Sequence, residues 1–172
     1  MSLLARLVLA TVVASVAAQC PTGFFEAGGG CFGVIDQQGV DLTWDDCRKL
    51  CQDLSTSEFH VDLATFDDAE QLEAFSTAWL VIGATYDPDP YMWIGVEKVG
   101  EEWQTVDGRS VSLQTNMWLV GHPHDMGTAV FLSDVTLDTG ENSYGRQYFH
   151  CSMGIFEHHS RCLCRATSAS RS

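Results

Sequence analysis

The sequence predicts an α+β domain, exported and stapled by disulfides. Three observations carry this. Two helical amphipathic patterns come early, short strand-like segments separated by turn residues follow them, and all seven cysteines lie beyond an N-terminal stretch shaped like an export signal.

In residues 1–18 a start carrying only Arg6 leads into the apolar run 7–16 and then the small residues Ala17 and Ala18, so cleavage is expected before Gln19. The run is roughly half of the ~20 apolar residues a membrane span needs, and no later segment is long enough either. Removing it leaves 172 − 18 = 154 residues, one domain with room for a hydrophobic core. An exported chain meets an oxidising compartment, so disulfides are expected, and an odd count leaves one thiol over or pairs it between chains. With Arg6 removed, eight Lys and Arg face 23 Asp and Glu, a balance of 8 − 23 = −15. That field repels nucleic acid and anionic membranes. The acids are spread along the chain, as on a solvated surface, with diffuse cation or mineral binding as the lesser alternative.

After Cys20, residues 24–26 and 31–34 flank Gly28, Gly29 and Gly30, which predicts a small hairpin. Between Thr43 and Leu54 the residues Trp44, Cys47, Leu50, Cys51 and Leu54 share one helical face, with Thr43 as the cap. A second helix is expected to begin at Asp67, with Glu70 three residues on, to bury Leu72, Phe75 and Trp79, and to end near Gly83. The turn-rich residues 87–90 precede an apolar run at 91–96 that suits a buried strand. Residues 103–106 and 110–113, around Asp107 and Gly108, read as a hairpin, and 118–125 as a long loop. Residues 129–132, 148–151 and 161–165 are the remaining strands, and the Ser-rich 166–172 reads as a disordered tail.

Several segments occur in an order that carries a family resemblance: WDDCRKLC at 44–51, VDLA at 61–64 with Glu70 beyond, WIGV at 93–96, WQTVDG at 103–108 and WLVGHP at 118–123. Together they cover nearly all of residues 20–164, and the chain resembles the C-type lectin-like domains, in the long form with an N-terminal hairpin. The resemblance implies a domain over residues 20–165 with two helices, two small antiparallel sheets and a long loop bearing the ligand site. It also implies the bridges Cys20–Cys31 and Cys51–Cys164. Cys47 precedes Cys51 by about 6 Å along a helix, and Cys162 precedes Cys164 by about 6.8 Å along a strand, which permits a second, parallel bridge. Cys151 is then the odd thiol; a Cys151–Cys162 bridge leaves Cys47 odd instead. A thiolate metal site at Cys162 and Cys164 is a further alternative, disfavoured by oxidation.

Lectins of this family hold a sugar-bridging calcium with oxygen ligands from a Glu-Pro-Asn or Gln-Pro-Asp tripeptide, a later Glu, and a Trp-Asn-Asp tripeptide. Here the first tripeptide is His122-Pro123-His124, followed by Asp125: the proline stands, but imidazoles replace both oxygen ligands. In the preferred register Ala129 replaces the cysteine that opens the next strand, Cys151 matches the cysteine after the second tripeptide, and residues 146–148 (RQY) take that tripeptide's place. In the other register Cys151 opens the strand and the tripeptide falls near residues 158–160 (HHS). Neither restores the oxygen cage calcium requires. Five of the six histidines, His122, His124, His150, His158 and His159, lie in the last third. Imidazole suits zinc, copper or nickel, so His122 and His124 are candidate transition-metal ligands with one or more of the others, and Asp125 offers an oxygen beside them. Scattered surface histidines are the commoner origin of such a set.

These features point to a secreted monomeric recognition module for glycans, microbial ones in innate defence among them, without the family's calcium site. A calcium-independent protein ligand, or an extracellular matrix role, is the alternative. No nucleophile elbow, paired-carboxylate signature or H-E-x-x-H motif points to an enzyme.

Overall fold

A computed structural model describes residues 20–83, 91–133, 148–152 and 159–169. The export signal at 1–18, the turn at 87–90, Arg146, Gln147, His158 and residues 170–172 lie outside the described residues.

The chain forms a hairpin of β1 (Phe25–Ala27) and β2 (Gly30–Asp36), then α1 (Trp44–Gln52), β3 (Phe59–Leu63) and α2 (Ala69–Gly83). Next come β4 (Met92–Val99), β5 (Glu102–Thr105), β6 (Ala129–Ser133), β7 (Tyr148–Cys151) and β8 (Arg161–Ser168). One antiparallel group pairs β1 with β2, then β2 and β3 with β8. The other pairs β5 and β6 with β4, then β7 with β6. The two expected small sheets are therefore present, but they are joined: Trp93 on β4 pairs in parallel with Cys162 on β8.

Helix α1 begins as its pattern predicts, because the Thr43 hydroxyl accepts from the Asp46 amide while the Asp46 carboxylate accepts from the Thr43 amide. Its buried Cys47 and Cys51 lie one turn apart and face alternate residues of β8, and the disulfides are Cys47–Cys162 and Cys51–Cys164, with Cys20–Cys31 closing the N-terminal hairpin. Cys151 is free and buried. Helix α2 starts later than its pattern suggested: Asp68 accepts from the Gln71 amide, and the Gln71 side chain accepts from the Asp67 amide. Asp67 is engaged elsewhere, bound by Arg165 at 2.7 Å and Arg109 at 2.9 Å. The Arg165 hydrogen bond, helped by both guanidinium charges, holds its carboxyl down at about 2.

Two other expectations need correction. Residues 166–168 are not tail: β8 continues through them because β3, which the sequence reading did not assign as a strand, pairs Phe59 with Ser168. The 103–113 hairpin is shorter than expected: the Thr105 amide donates to the Arg109 carbonyl, Gln104 bridges Ser110 and the Val111 amide donates to the Trp103 carbonyl, but no strand extends to residue 113, and the regular pairing of β5 is with β4.

The tryptophans of the sequence signatures are buried, and three of them donate indole N–H bonds that stitch segments together: Trp44 to the Ile94 carbonyl at 2.7 Å, Trp93 to the Leu42 carbonyl at 2.9 Å, and Trp118 to the Ser112 carbonyl at 3.1 Å. Gly95 explains the glycine of the WIGV segment. A Cβ there would stand 2.6 Å from the Leu63 carbonyl oxygen and 2.9 Å from Val106, where the chain from β3 crosses β4. Gly95→Ala is expected to destabilise the domain by about 1–3 kcal/mol in urea unfolding.

The two α1–β8 bridges close nearly the same loop, with sequence separations of 115 and 113. Once either has closed it, the other constrains only a short ring. Replacing the Cys51–Cys164 pair by alanines is therefore expected to cost far less than removing both pairs, which should cost on the order of 4–5 kcal/mol; equal and additive losses in urea melts would contradict this.

Candidate functional site

The long loop reaches its position by adding a segment to the edge strand β7. The Phe149 amide donates to the Met117 carbonyl at 2.8 Å, and the Leu119 amide donates to the Phe149 carbonyl at 3.1 Å. Two tight turns follow, closed by the His122 amide on the Leu119 carbonyl (2.9 Å) and the Gly127 amide on the His124 carbonyl (3.1 Å), with the His122–Pro123 peptide cis. Gly127 lies against Cys151: a Cβ there would come within 2.6 Å of the Cys151 Cβ. The loop therefore packs directly over the free thiol.

Val130 pairs with Cys151 and Phe131 with His150 across β6 and β7. This is the register in which Ala129 takes the place of the strand-opening cysteine. The Cys151 thiol, 2 % exposed, has no cysteine opposite and instead meets the loop. Its Sγ accepts from the His124 amide at 2.9 Å and lies 3.4 Å from His122 Nδ1, while Nδ1 accepts from the Cys151 amide at 3.2 Å. That last bond requires an unprotonated Nδ1.

The histidines converge in part. The His122 ring lies 4.3 Å from that of His124 and 4.4 Å from that of His150. His159 reaches the same cavity from the other side, held by paired backbone bonds to Leu42 and packed against Phe131 and Trp93. His158 lies outside the described residues. The cavity, about 230 Å³, has aromatic walls from Tyr91 and Phe131 and a floor of imidazoles and the Cys151 sulfur. A larger cleft of about 770 Å³ runs from the start of α2 to residues 109–117; Asp67, Asp68 and Glu70 line it, and Asp67 pairs with Arg109. Among the described residues the three groups with metal-ligand spacing are His122, His124 and Cys151. The sequence reading singled out the first two; it offered Cys151 as the odd thiol in one of two possible pairings, and not as their neighbour. The preferred register, which takes a cysteine away from position 129, held that information.

Burial pushes the His122 ring below its ordinary range, with the His124 charge adding to the effect. Burial likewise takes His150 down to about 4 from 6.5, and His122 and His124 contribute. Burial pushes the Cys151 thiol up, opposed by the His124 amide and the Lys98 charge. Lys98 caps the loop, its ammonium donating to the Asp125 carbonyl at 3.0 Å. At neutral pH the site thus presents two uncharged, half-buried imidazoles and a neutral buried thiol beside the Lys98 ammonium, an arrangement poorly suited to a hard, oxygen-seeking ion.

The Lectin C-type domain family matches residues 40–148. The chain belongs to the C-type lectin family. It is 24 % identical over 116 residues, 66 % of this chain and 71 % of the relative, to snaclec bothrojaracin subunit beta of Bothrops jararaca. The fold is shared with the C-type lectin CEL-I from Cucumaria echinata (TM-score 0.64, 19 % identity, 88 % of this chain and 99 % of that one). It is shared equally with the Ca2+-independent C-type lectin SPL-2 from Saxidomus purpuratus (TM-score 0.62, 16 % identity, 85 % and 92 %). This C-type lectin thus keeps the family scaffold while its tripeptide carries imidazoles.

A depressed His150 pKa means that the unfolded chain takes up the proton first. The stability contributed by the neutral ring is complete above about 6.5 and is lost as pH falls toward about 4. In metal-free protein, the His150 ring is expected to titrate near 4 by NMR, and the urea midpoint should fall across that window less steeply in His150→Phe. A ring titrating near 6.5 would refute the burial seen here.

Proposed function

We propose that this protein is a secreted recognition module that binds carbohydrate through its long loop without the family's calcium bridge. The observation that carries the reading is the replacement of both tripeptide oxygen ligands by His122 and His124, in a loop where the Lys98 ammonium already donates to the Asp125 backbone carbonyl. A bridging calcium needs protein oxygens to hold it and open positions for sugar hydroxyls. Aromatic faces and neutral hydrogen-bonding groups remain, and Tyr91, Phe131 and the imidazoles supply both. The calcium-independent lectin with the same fold supports the reading. Three disulfides favour an extracellular setting, and among the described residues no helix is long and apolar enough to cross a membrane. We assign no catalytic role and take the working unit to be a monomer.

One observation favours a protein ligand as the second reading: Val120 and Met126, on either side of the histidines, are 91 % and 77 % exposed. Apolar side chains projecting from a binding loop suit a protein surface better than a sugar.

A glycan array read with calcium and then with a calcium-selective chelator tests the first reading. Binding is expected to change little, and a His122→Glu, His124→Asn double variant should not gain strong calcium dependence. Binding abolished by the chelator and restored by calcium would overturn the reading, and a blank array with retained protein partners would favour the second.

A further inference from the structure

We infer that His122, His124 and Cys151 form a binding site for zinc or a similarly borderline transition-metal ion, with Cys151 as its thiolate ligand. The inference does not depend on the ligand being a carbohydrate.

The geometry is close to what such an ion requires. Zinc binds Cys sulfur at about 2.3 Å and His nitrogen at about 2.0–2.1 Å in tetrahedral sites, which places neighbouring ligand atoms about 3.5 Å apart. His122 Nδ1 and Cys151 Sγ are 3.4 Å apart, and no two of the three ligand atoms are more than 4.8 Å apart. Rotation of the His124 ring, the most exposed of the three, closes the remainder. Coordination would use His122 Nδ1, whose lone pair the Cys151 amide now holds at 3.2 Å, so the ion replaces that amide as the partner. As the sulfur–metal bond forms, the thiol proton passes to solvent.

The surroundings fit a soft-ligand site. Cys151 has no cysteine with which to oxidise across β6, where position 129 is alanine. A fourth position is open toward the cavity. It faces His150, whose Nε2 is buried with no hydrogen-bond partner among the described residues and whose ring lies 4.4 Å from that of His122. Either that nitrogen or a group from an incoming ligand would complete the tetrahedron.

The test uses the oxidised chain, stripped with chelator and titrated with Co2+. One equivalent should produce a thiolate-to-cobalt charge-transfer band in the near ultraviolet together with tetrahedral visible absorption, and one equivalent of Zn2+ should bleach both. Zinc should also slow alkylation of Cys151 and shift its backbone amide resonance. Cys151→Ser should lose the charge-transfer band. His122→Ala and His124→Ala should each weaken zinc binding by more than the about 10- to 100-fold typical of losing an outer-shell partner. His60→Ala, at an exposed position of β3, should change nothing. Cobalt binding without a charge-transfer band, or no stoichiometric binding, would overturn the inference in the unmodified protein alone, whether or not the variants fold. Zinc affinity unchanged in the histidine variants would do the same. None of these results bears on the glycan array, so the two readings fail separately.

Discussion

The α1–β8 seam is the constraint on which the rest of the structure depends. Two disulfides lock one face of the first helix to alternate residues of the last strand. Cys162 is at once a bridge residue and the pairing partner of Trp93, the point where the two groups of strands meet. Trp93 in turn bonds to the Leu42 carbonyl just ahead of α1, and Trp44 bonds to the Ile94 carbonyl beside Trp93. Covalent bridges, sheet pairing and indole bonds thus converge on one region. The chain between α1 and β8 can therefore be long and loop-rich without loss of definition, since its ends are fixed close together.

The site follows from a missing bridge in the other group of strands. Alanine at position 129 leaves Cys151 without a disulfide partner, and a buried thiol needs polar company or an apolar pocket. It has the first: the His124 amide and the His122 ring approach it closely, and Gly127 makes room for that approach. The loop that carries the calcium tripeptide elsewhere in the family is here anchored to the strand edge partly through that sulfur. The alanine at 129 and the imidazoles at 122 and 124 are thereby linked in space through Cys151, which lies well beyond all three in the sequence.

Most of the scaffold was legible because its signals are local or depend on spacing. The Thr43 cap, the one-turn offset of Cys47 and Cys51, and the two-residue offset of Cys162 and Cys164 need no knowledge of the fold. What escaped depended on partners distant in sequence. Strand β3 alternates apolar and polar residues from Phe59 to Leu63, but over only five residues, and its place is set by pairing with the distant β8; the start of α2 is displaced because Arg165 and Arg109 occupy Asp67. The histidines were visible as a cluster in composition. Yet which of them meet was decided by β6–β7 pairing, which brings His150 and Cys151 under the loop, and by the Leu42 bridge that sets His159 at the far wall.

Net charge and site chemistry pull in different directions. A chain with a formal charge of −14 draws cations of every kind toward its surface, so long-range attraction alone cannot discriminate among them. Selection falls to the ligand atoms. At the loop the acids are absent from the tripeptide, Lys98 places a positive charge against the Asp125 carbonyl, and burial favours the uncharged forms of His122 and His150. A hard divalent ion loses more hydration there than the few available oxygens return, whereas a borderline ion gains nitrogen and sulfur ligands that calcium cannot use well. Under the proposed reading, the same substitutions that take oxygen ligands out of the tripeptide change the class of ion the loop suits, and direct contacts from aromatic and imidazole side chains become the means of recognising a ligand.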